Sequence, residues 1–221
     1  MRKILCLLFL FLLLGGCSSK PTPGWIVVGN QQLATFKQHF LTGGQPVVTE
    51  LHFRKAIEEI KKGGDLDLLG KAWLTRMALE VAVLREMKED DYLKVAAAQP
   101  APTNRNFYLF LKGKKVEVDR SLLPAQYRRF LDALQRGNTV EAEQTIAAME
   151  DDPLSQLIAA GISVRFNLET EAILKVAVET ASRNGWKSAL LAWLERLLAF
   201  YKATGDAAKA AAVSRRIDLM K

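Results

Sequence analysis

Residues 66–84 read LDLLGKAWLTRMALEVAVL and carry the clearest helical pattern in this chain of 221 residues. Large apolar side chains recur in this stretch at intervals of three or four residues: Leu66, Leu69, Trp73, Met77, Val81 and Leu84. That spacing places them on one face of an α-helix, which we expect from about Asp65 to Met87. Because Ala72, Ala78 and Ala82 make its other faces apolar as well, we expect this helix to be the central and most buried one.

The same spacing predicts helices along most of the remaining chain. An earlier helix is expected at about Thr49–Lys62, ended by Gly63-Gly64, because glycine commonly follows the last helical residue. Three longer helices are expected near the C-terminus, at about 169–184, 187–204 and 206–220, separated by Asn184-Gly185 and Gly205.

Helix-start residues support this reading in the middle of the chain. Pro124 and Pro153 fit first-turn positions, where the missing amide hydrogen costs nothing. Asp152 is a candidate N-cap, and Asn138 with Glu141 three residues later resembles a capping box.

Two segments leave alternatives open. Residues 24–29, GWIVVG, fit either a short extended piece or a hydrophobic plug that docks the N-terminus. Residues 107–111 and 116–118 fit a hairpin, but Thr103 is a plausible N-cap and favours a short helix. The proline-containing loop before it marks a candidate seam near residues 99–103.

The C-terminal helix pair resembles a tetratricopeptide repeat. Tyr201 is followed by Gly205 in the turn and by Ala210 where the second helix would cross the first closely. Residues 129–149 resemble the pattern more weakly, with Gly137 in the turn. The glycine turns do not recur at the roughly 34-residue period of a regular array. The predicted fold class is therefore all-α, built of antiparallel helix pairs, as either a tetratricopeptide-like array or an irregular helical bundle.

The N-terminus carries a second resemblance. Arg2 and Lys3 precede eleven apolar residues, Ile4 to Leu14, and the run ends in Leu14-Gly15-Gly16-Cys17. Eleven residues are too few for a membrane span, which needs about 20, but they suit the apolar core of an export signal. The last four residues resemble the lipobox of bacterial lipoproteins.

The resemblance to lipoproteins implies a division of the chain. Residues 1–16 would be a signal peptide, Cys17 would become the acylated N-terminus with palmitate or similar chains, 17–24 would be a tether, and 25–221 would form the all-α domain. Several acyl chains anchor a protein stably, so the membrane would be bound through Cys17. Serine rather than aspartate at position 18 implies the outer membrane, with the protein facing the periplasm.

Composition limits the remaining functions. The formal net charge of +7 falls to +5 without Arg2 and Lys3, and no nucleic-acid motif is present, so we expect no nucleic-acid partner. The densest basic group, at Lys112, Lys114 and Lys115, fits a solvated turn. With Cys6 in the signal and Cys17 acylated, no thiol would remain for catalysis or for metal binding.

No catalytic or metal-binding pattern emerges. His39 and His52 lack the helical His-Glu-x-x-His spacing of a zinc site, so we expect no metal. The acidic pairs at residues 58–59, 90–91 and 151–152 fit caps or solvated faces better than the two facing carboxylates of a glycosidase. We therefore expect no cofactor and a protein that is not an enzyme.

The aromatic residues near the C-terminus offer the last candidate site. Trp186 and Trp193 lie seven residues apart, on similar faces of one predicted helix, with Tyr201 later in the same helix. They fit either core packing or a groove that receives a partner's helix or extended peptide.

Taken with the anchor, these patterns predict a non-catalytic scaffold or adaptor for another envelope protein. The alternatives are a cell-wall-active hydrolase and a carrier of a lipid or hydrophobic ligand.

Overall fold

The structure, a computed structural model, describes residues 21–221. The predicted signal peptide and the lipidation site Cys17 lie outside these residues. Within them no helix is both long enough and apolar enough to cross a bilayer.

The described part of the chain is all-α, which confirms the predicted fold class, and it contains no strand. One short 3-10 turn, Arg120–Leu122, lies between the fifth and sixth helices. The helices are α1 Gly24–Thr42, α2 Pro46–Lys61, α3 Leu66–Ala82, α4 Asp90–Ala98, α5 Pro102–Leu111, α6 Ala125–Arg136, α7 Thr139–Ala147, α8 Pro153–Arg165, α9 Glu171–Arg183, α10 Lys187–Ala203 and α11 Ala207–Asp218.

Helix α3 is the central helix, as its sequence predicts. It packs against α1, α2, α4, α5 and α8, and Met77, Leu79 and Val81 have no exposed surface. It ends earlier than the predicted Met87, because Leu84 adopts a left-handed conformation with φ 57°. The apolar pattern continues past this point, so periodicity alone extends the helix too far.

The predicted caps Asp152 and Asn138 are both confirmed. The Asp152 carboxylate accepts a hydrogen bond from the Ser155 amide at 3.2 Å, and the Asn138 side chain accepts one from the Glu141 amide at 3.1 Å. Of the two prolines predicted in first turns, only one occupies that position. Pro153 is in the first turn of α8, but Pro124 is the residue before α6 rather than its first residue.

The two ambiguous segments are both helical. Residues 24–29 form the start of α1, so the extended alternative is wrong. Residues 107–111 belong to α5, which confirms the helix there. However, α5 begins at Pro102, so Thr103 does not cap it.

Helices α6 to α11 form successive antiparallel pairs. Neighbouring helices pack together along the whole series, and α6 also contacts α8, while α7 contacts α9. The predicted turns at Gly137 and Gly205 have φ values of 67° and 77°, which favour glycine. Ala142 and Ala210 are buried at the crossings, where only a small side chain lets two helices approach closely.

The N-terminal helices pack onto the first helices of the later pairs. Helix α3 lies against α8, and α1 lies against α10. Residues from both sides of the 99–103 loop contribute to one buried cluster that extends from Phe36 to Ile217. The two parts of the chain therefore share a core.

Candidate functional site

The three aromatic residues predicted for partner binding lie in the core. Trp193 has no exposed surface, Tyr201 is 3% exposed and Trp186 is 9% exposed. The Trp193 indole Nε1 donates a hydrogen bond to the carbonyl oxygen of Ala82 at 2.9 Å, at the end of α3. This matches the core-packing alternative, because α1 and α3 cover the side of α8 and α10 that an open array would present to a partner.

The buried indole has a measurable role in stability. Replacing Trp193 by Phe leaves the Ala82 carbonyl without its donor and leaves a small cavity. We expect the free energy of unfolding to fall by about 2 kcal/mol, measured by urea denaturation. Trp25 is only partly buried and provides the control. The free energy of unfolding of a Trp25→Phe variant should fall by clearly less than that of Trp193→Phe.

An exposed groove lies beside α2. It has a volume of about 760 Å³ and opens to solvent. Its floor is apolar and includes Phe53, Ile57 and the half-buried Trp73, and its edges carry Val28 and Leu51, which are 40% and 37% exposed. Such an exposed apolar surface with a polar rim is typical of interaction sites.

Most charges around the groove have partners within the protein. Glu58 and Glu59 form ion pairs with Lys61 and Lys62, at 2.8 and 2.7 Å. Asp91 likewise pairs with Lys94 at 2.9 Å.

Two cations at the groove lack such a partner among the described residues. Arg54 and Lys55 are exposed and form no ion pair with another residue of the described chain 21–221. Arg54 and Lys55 therefore form a local positive patch on a rim that also carries the paired residues Glu50, Glu58, Glu59, Lys61 and Asp91.

A buried ion pair connects the groove to the core. Arg76 and Glu80 lie one turn apart on α3 and are 8% and 3% exposed, with 3.3 Å between Arg76 Nε and Glu80 Oε1. Arg76 Nη1 also donates to Glu50 at 3.0 Å, and the Lys88 amide donates to Glu80 Oε2 at 2.8 Å. The guanidinium lies over the Phe53 ring, 4.9 Å from its centroid. The pair thus ties α2 and the loop after α3 to the central helix.

The two histidines lie together near this ion pair, between α1 and α2. Their ring centroids are 5.1 Å apart, and His52 Nδ1 lies 2.7 Å from Gln32 Oε1. Among residues 21–221 no three metal-ligating side chains of the His, Cys, Asp or Glu type converge. These histidines therefore form no recognisable metal site with their described neighbours.

The acidic pairs have structural roles. Glu58 and Glu59 are held by lysines, Asp90 and Asp91 lie in the first turn of α4, and Asp152 caps α8. Carboxylates at helix starts complement the helix dipole.

Two of the three lysines in the basic turn are held by other residues, while Lys114 is exposed. Lys112 forms an ion pair with Glu89 at 3.0 Å, and the Lys115 ammonium donates to the Leu134 carbonyl. The hydrogen bond from Lys112 is the main cause that lowers the pKa of Glu89, and a second hydrogen bond comes from Tyr108. Burial, together with that hydrogen bond to Glu89, raises the pKa of Tyr108 to about 12. These residues hold the segment after α5 in place.

Comparison with protein-family models, with curated proteins and with solved structures gives no significant match for this chain.

Proposed function

We propose that this chain is a membrane-anchored bacterial lipoprotein that acts as a non-catalytic scaffold or adaptor for another envelope protein. The anchor is Cys17, and Ser18 favours the outer membrane with the folded part in the periplasm. The observation that carries the adaptor role is the exposed apolar groove beside α2, because its floor is already formed and its edge residues are accessible.

The chemistry of the groove defines its partner. An amphipathic helix fits, because its apolar face would cover Val28 and Leu51 and enter over Phe53 and Trp73. The free cations Arg54 and Lys55 favour a helix that carries acidic residues beside that apolar face. The partner is therefore an amphipathic helix with acidic residues. Capture of a second copy of the chain or of an extended peptide would contradict this choice of partner.

Reversing the two rim charges tests this proposal. We expect Arg54→Glu/Lys55→Glu to reduce the partner that co-purifies from crosslinked, detergent-solubilised envelopes by about tenfold, a cost of about 1.4 kcal/mol. The matched control is Arg215→Glu/Arg216→Glu, which reverses two exposed arginines on α11. The proposal fails if both variants recover the same proteins in the same amounts as the wild type.

The two alternatives would need different geometry. A hydrolase would place two carboxylates across a cleft, whereas the acids named above form ion pairs or caps. A ligand carrier would use an enclosed apolar cavity, whereas the groove beside α2 is open to solvent. The open groove therefore favours the adaptor.

A further inference from the structure

Helix α1 has an uncharged outward face. Five of its exposed residues follow helical spacing and share one side of the helix: Val27, Asn30, Gln31, Ala34 and Gln38. Val28, by contrast, faces the groove beside α2. The first charged residue of α1 is Lys37, although 25% of the whole chain is charged. The first three turns of the helix thus expose a surface without charge, which is distinct from the groove beside α2.

The start of this helix is also its most apolar end. Val27 is 54% exposed and Val28 is 40% exposed. Trp25 lies against Gly63, where a Cβ atom would come within 2.3 Å of the indole ring. Lys61 and Lys62 at the end of α2 flank this site, with side chains 53% and 60% exposed. Tryptophan, small apolar residues and lysine are the combination found at membrane–water interfaces.

The position of this end relative to Cys17 decides which partner can reach it. Six residues lie between Cys17 and Gly24, so their Cα atoms are seven residue steps apart and at most about 25 Å from each other. If Cys17 is acylated, as the proposed function assumes, the first turn of α1 stays within that distance of the bilayer. The tether therefore gives the bilayer a high effective concentration at this surface.

We propose that the first turns of α1 lie against the bilayer surface, with Val27 entering the headgroup region. The amides of Asn30 and Gln31 hydrogen-bond to headgroups, and no charged side chain on this face has to lose water. Lys62 exchanges its exposed ion pair with Glu59 for a phosphate beside the site. The contact fixes the orientation of the domain on the membrane and leaves the groove beside α2 open to a partner.

Lipid-borne quenchers test the contact in the intact, lipidated protein. The mature chain has no cysteine besides Cys17, so Val27→Cys gives one labelling site for an environment-sensitive fluorophore. The protein is reconstituted in vesicles of phosphatidylethanolamine and phosphatidylglycerol that contain nitroxide-labelled lipid. We expect quenching at position 27 at least about threefold stronger than in Val116→Cys, since headgroup-level insertion brings the label to the nitroxides. Val116 is 88% exposed and lies in the loop between α5 and α6.

A second labelled position separates contact from mere proximity. With the fluorophore at Gln31→Cys, adding Val27→Asp should abolish most of the quenching, because a carboxylate resists transfer into the headgroup region. Equal quenching at positions 27 and 116, in protein whose acylated N-terminal peptide is detected by mass spectrometry, overturns the contact but leaves the adaptor proposal standing. Absence of the acyl group overturns both the anchor and the contact.

Discussion

A Gly161→Ala variant is expected to lose about 2 kcal/mol of its free energy of unfolding. Gly161 lies in α8 where this helix crosses α3, and a Cβ atom there would come within 2.3 Å of the Val81 carbonyl oxygen. The obstacle is backbone at the centre of the core, so the two helices must separate before the methyl group fits. The gain of about 1 kcal/mol from the higher helix propensity of alanine offsets only part of this cost.

Gly24→Ala is the matched control for this experiment. Gly24 is also helical, and a Cβ atom there would meet no other atom within 4 Å. Its free energy of unfolding, measured by urea denaturation with circular dichroism, should stay within about 0.5 kcal/mol of the wild type. An equally small change for Gly161→Ala would show that α3 and α8 do not pack as closely as described.

An Arg76→Met variant is expected to lose about 3 kcal/mol of its free energy of unfolding. This is the largest loss expected for any of the variants. The substitution removes the counter-charge of Glu80, whose side chain is only 4% exposed, and it removes the cation above Phe53. Breaking a buried ion pair from one side is costly because the remaining charge stays buried. Urea denaturation measures the loss.

The double variant Arg76→Met/Glu80→Gln identifies the cause. Glutamine retains an acceptor for the Lys88 amide but carries no charge, so the double variant should be more stable than Arg76→Met alone. Lys61→Met removes an exposed ion pair and should cost less than about 0.5 kcal/mol. A double variant no more stable than Arg76→Met would show that the uncompensated charge is not the source of the loss.

The sequence predicts the parts of this fold that depend on neighbouring residues. Asp152 and Asn138 could be recognised as caps because each binds an amide three residues further along the chain. The central position of α3 could be inferred because apolar residues occupy most faces of its second half. Both features are local and leave a direct trace in the sequence.

The end of α3 shows where such prediction stops. The chain turns at Leu84 although the apolar pattern continues, and distant residues hold the turn. Trp193 donates to the Ala82 carbonyl, and Arg165 donates to the Arg85 carbonyl at 3.0 Å. These partners lie about 80 and 110 residues away, so no local pattern contains them.

The groove beside α2 also depends on contacts that no local pattern contains. Trp186 and Trp193 have the spacing of a shared helix face, but the sequence does not show that α1 and α3 cover that face. The groove beside α2 is formed by helices from different parts of the N-terminal region. One signal in the sequence is the pair Arg76 and Glu80, two charges one turn apart in the apolar second half of α3, which indicates a buried ion pair.

Site-specific photocrosslinking in living cells tests the adaptor proposal most directly. A photoreactive residue is placed at position 51, at the edge of the groove, in the lipidated protein, and a matched one at position 219, where Leu219 is 90% exposed. We predict that position 51 crosslinks to an amphipathic, acidic segment of one envelope protein, and that Arg54→Glu/Lys55→Glu abolishes this product. The proposal is contradicted if position 51 captures no protein more strongly than position 219 while the protein remains anchored through Cys17.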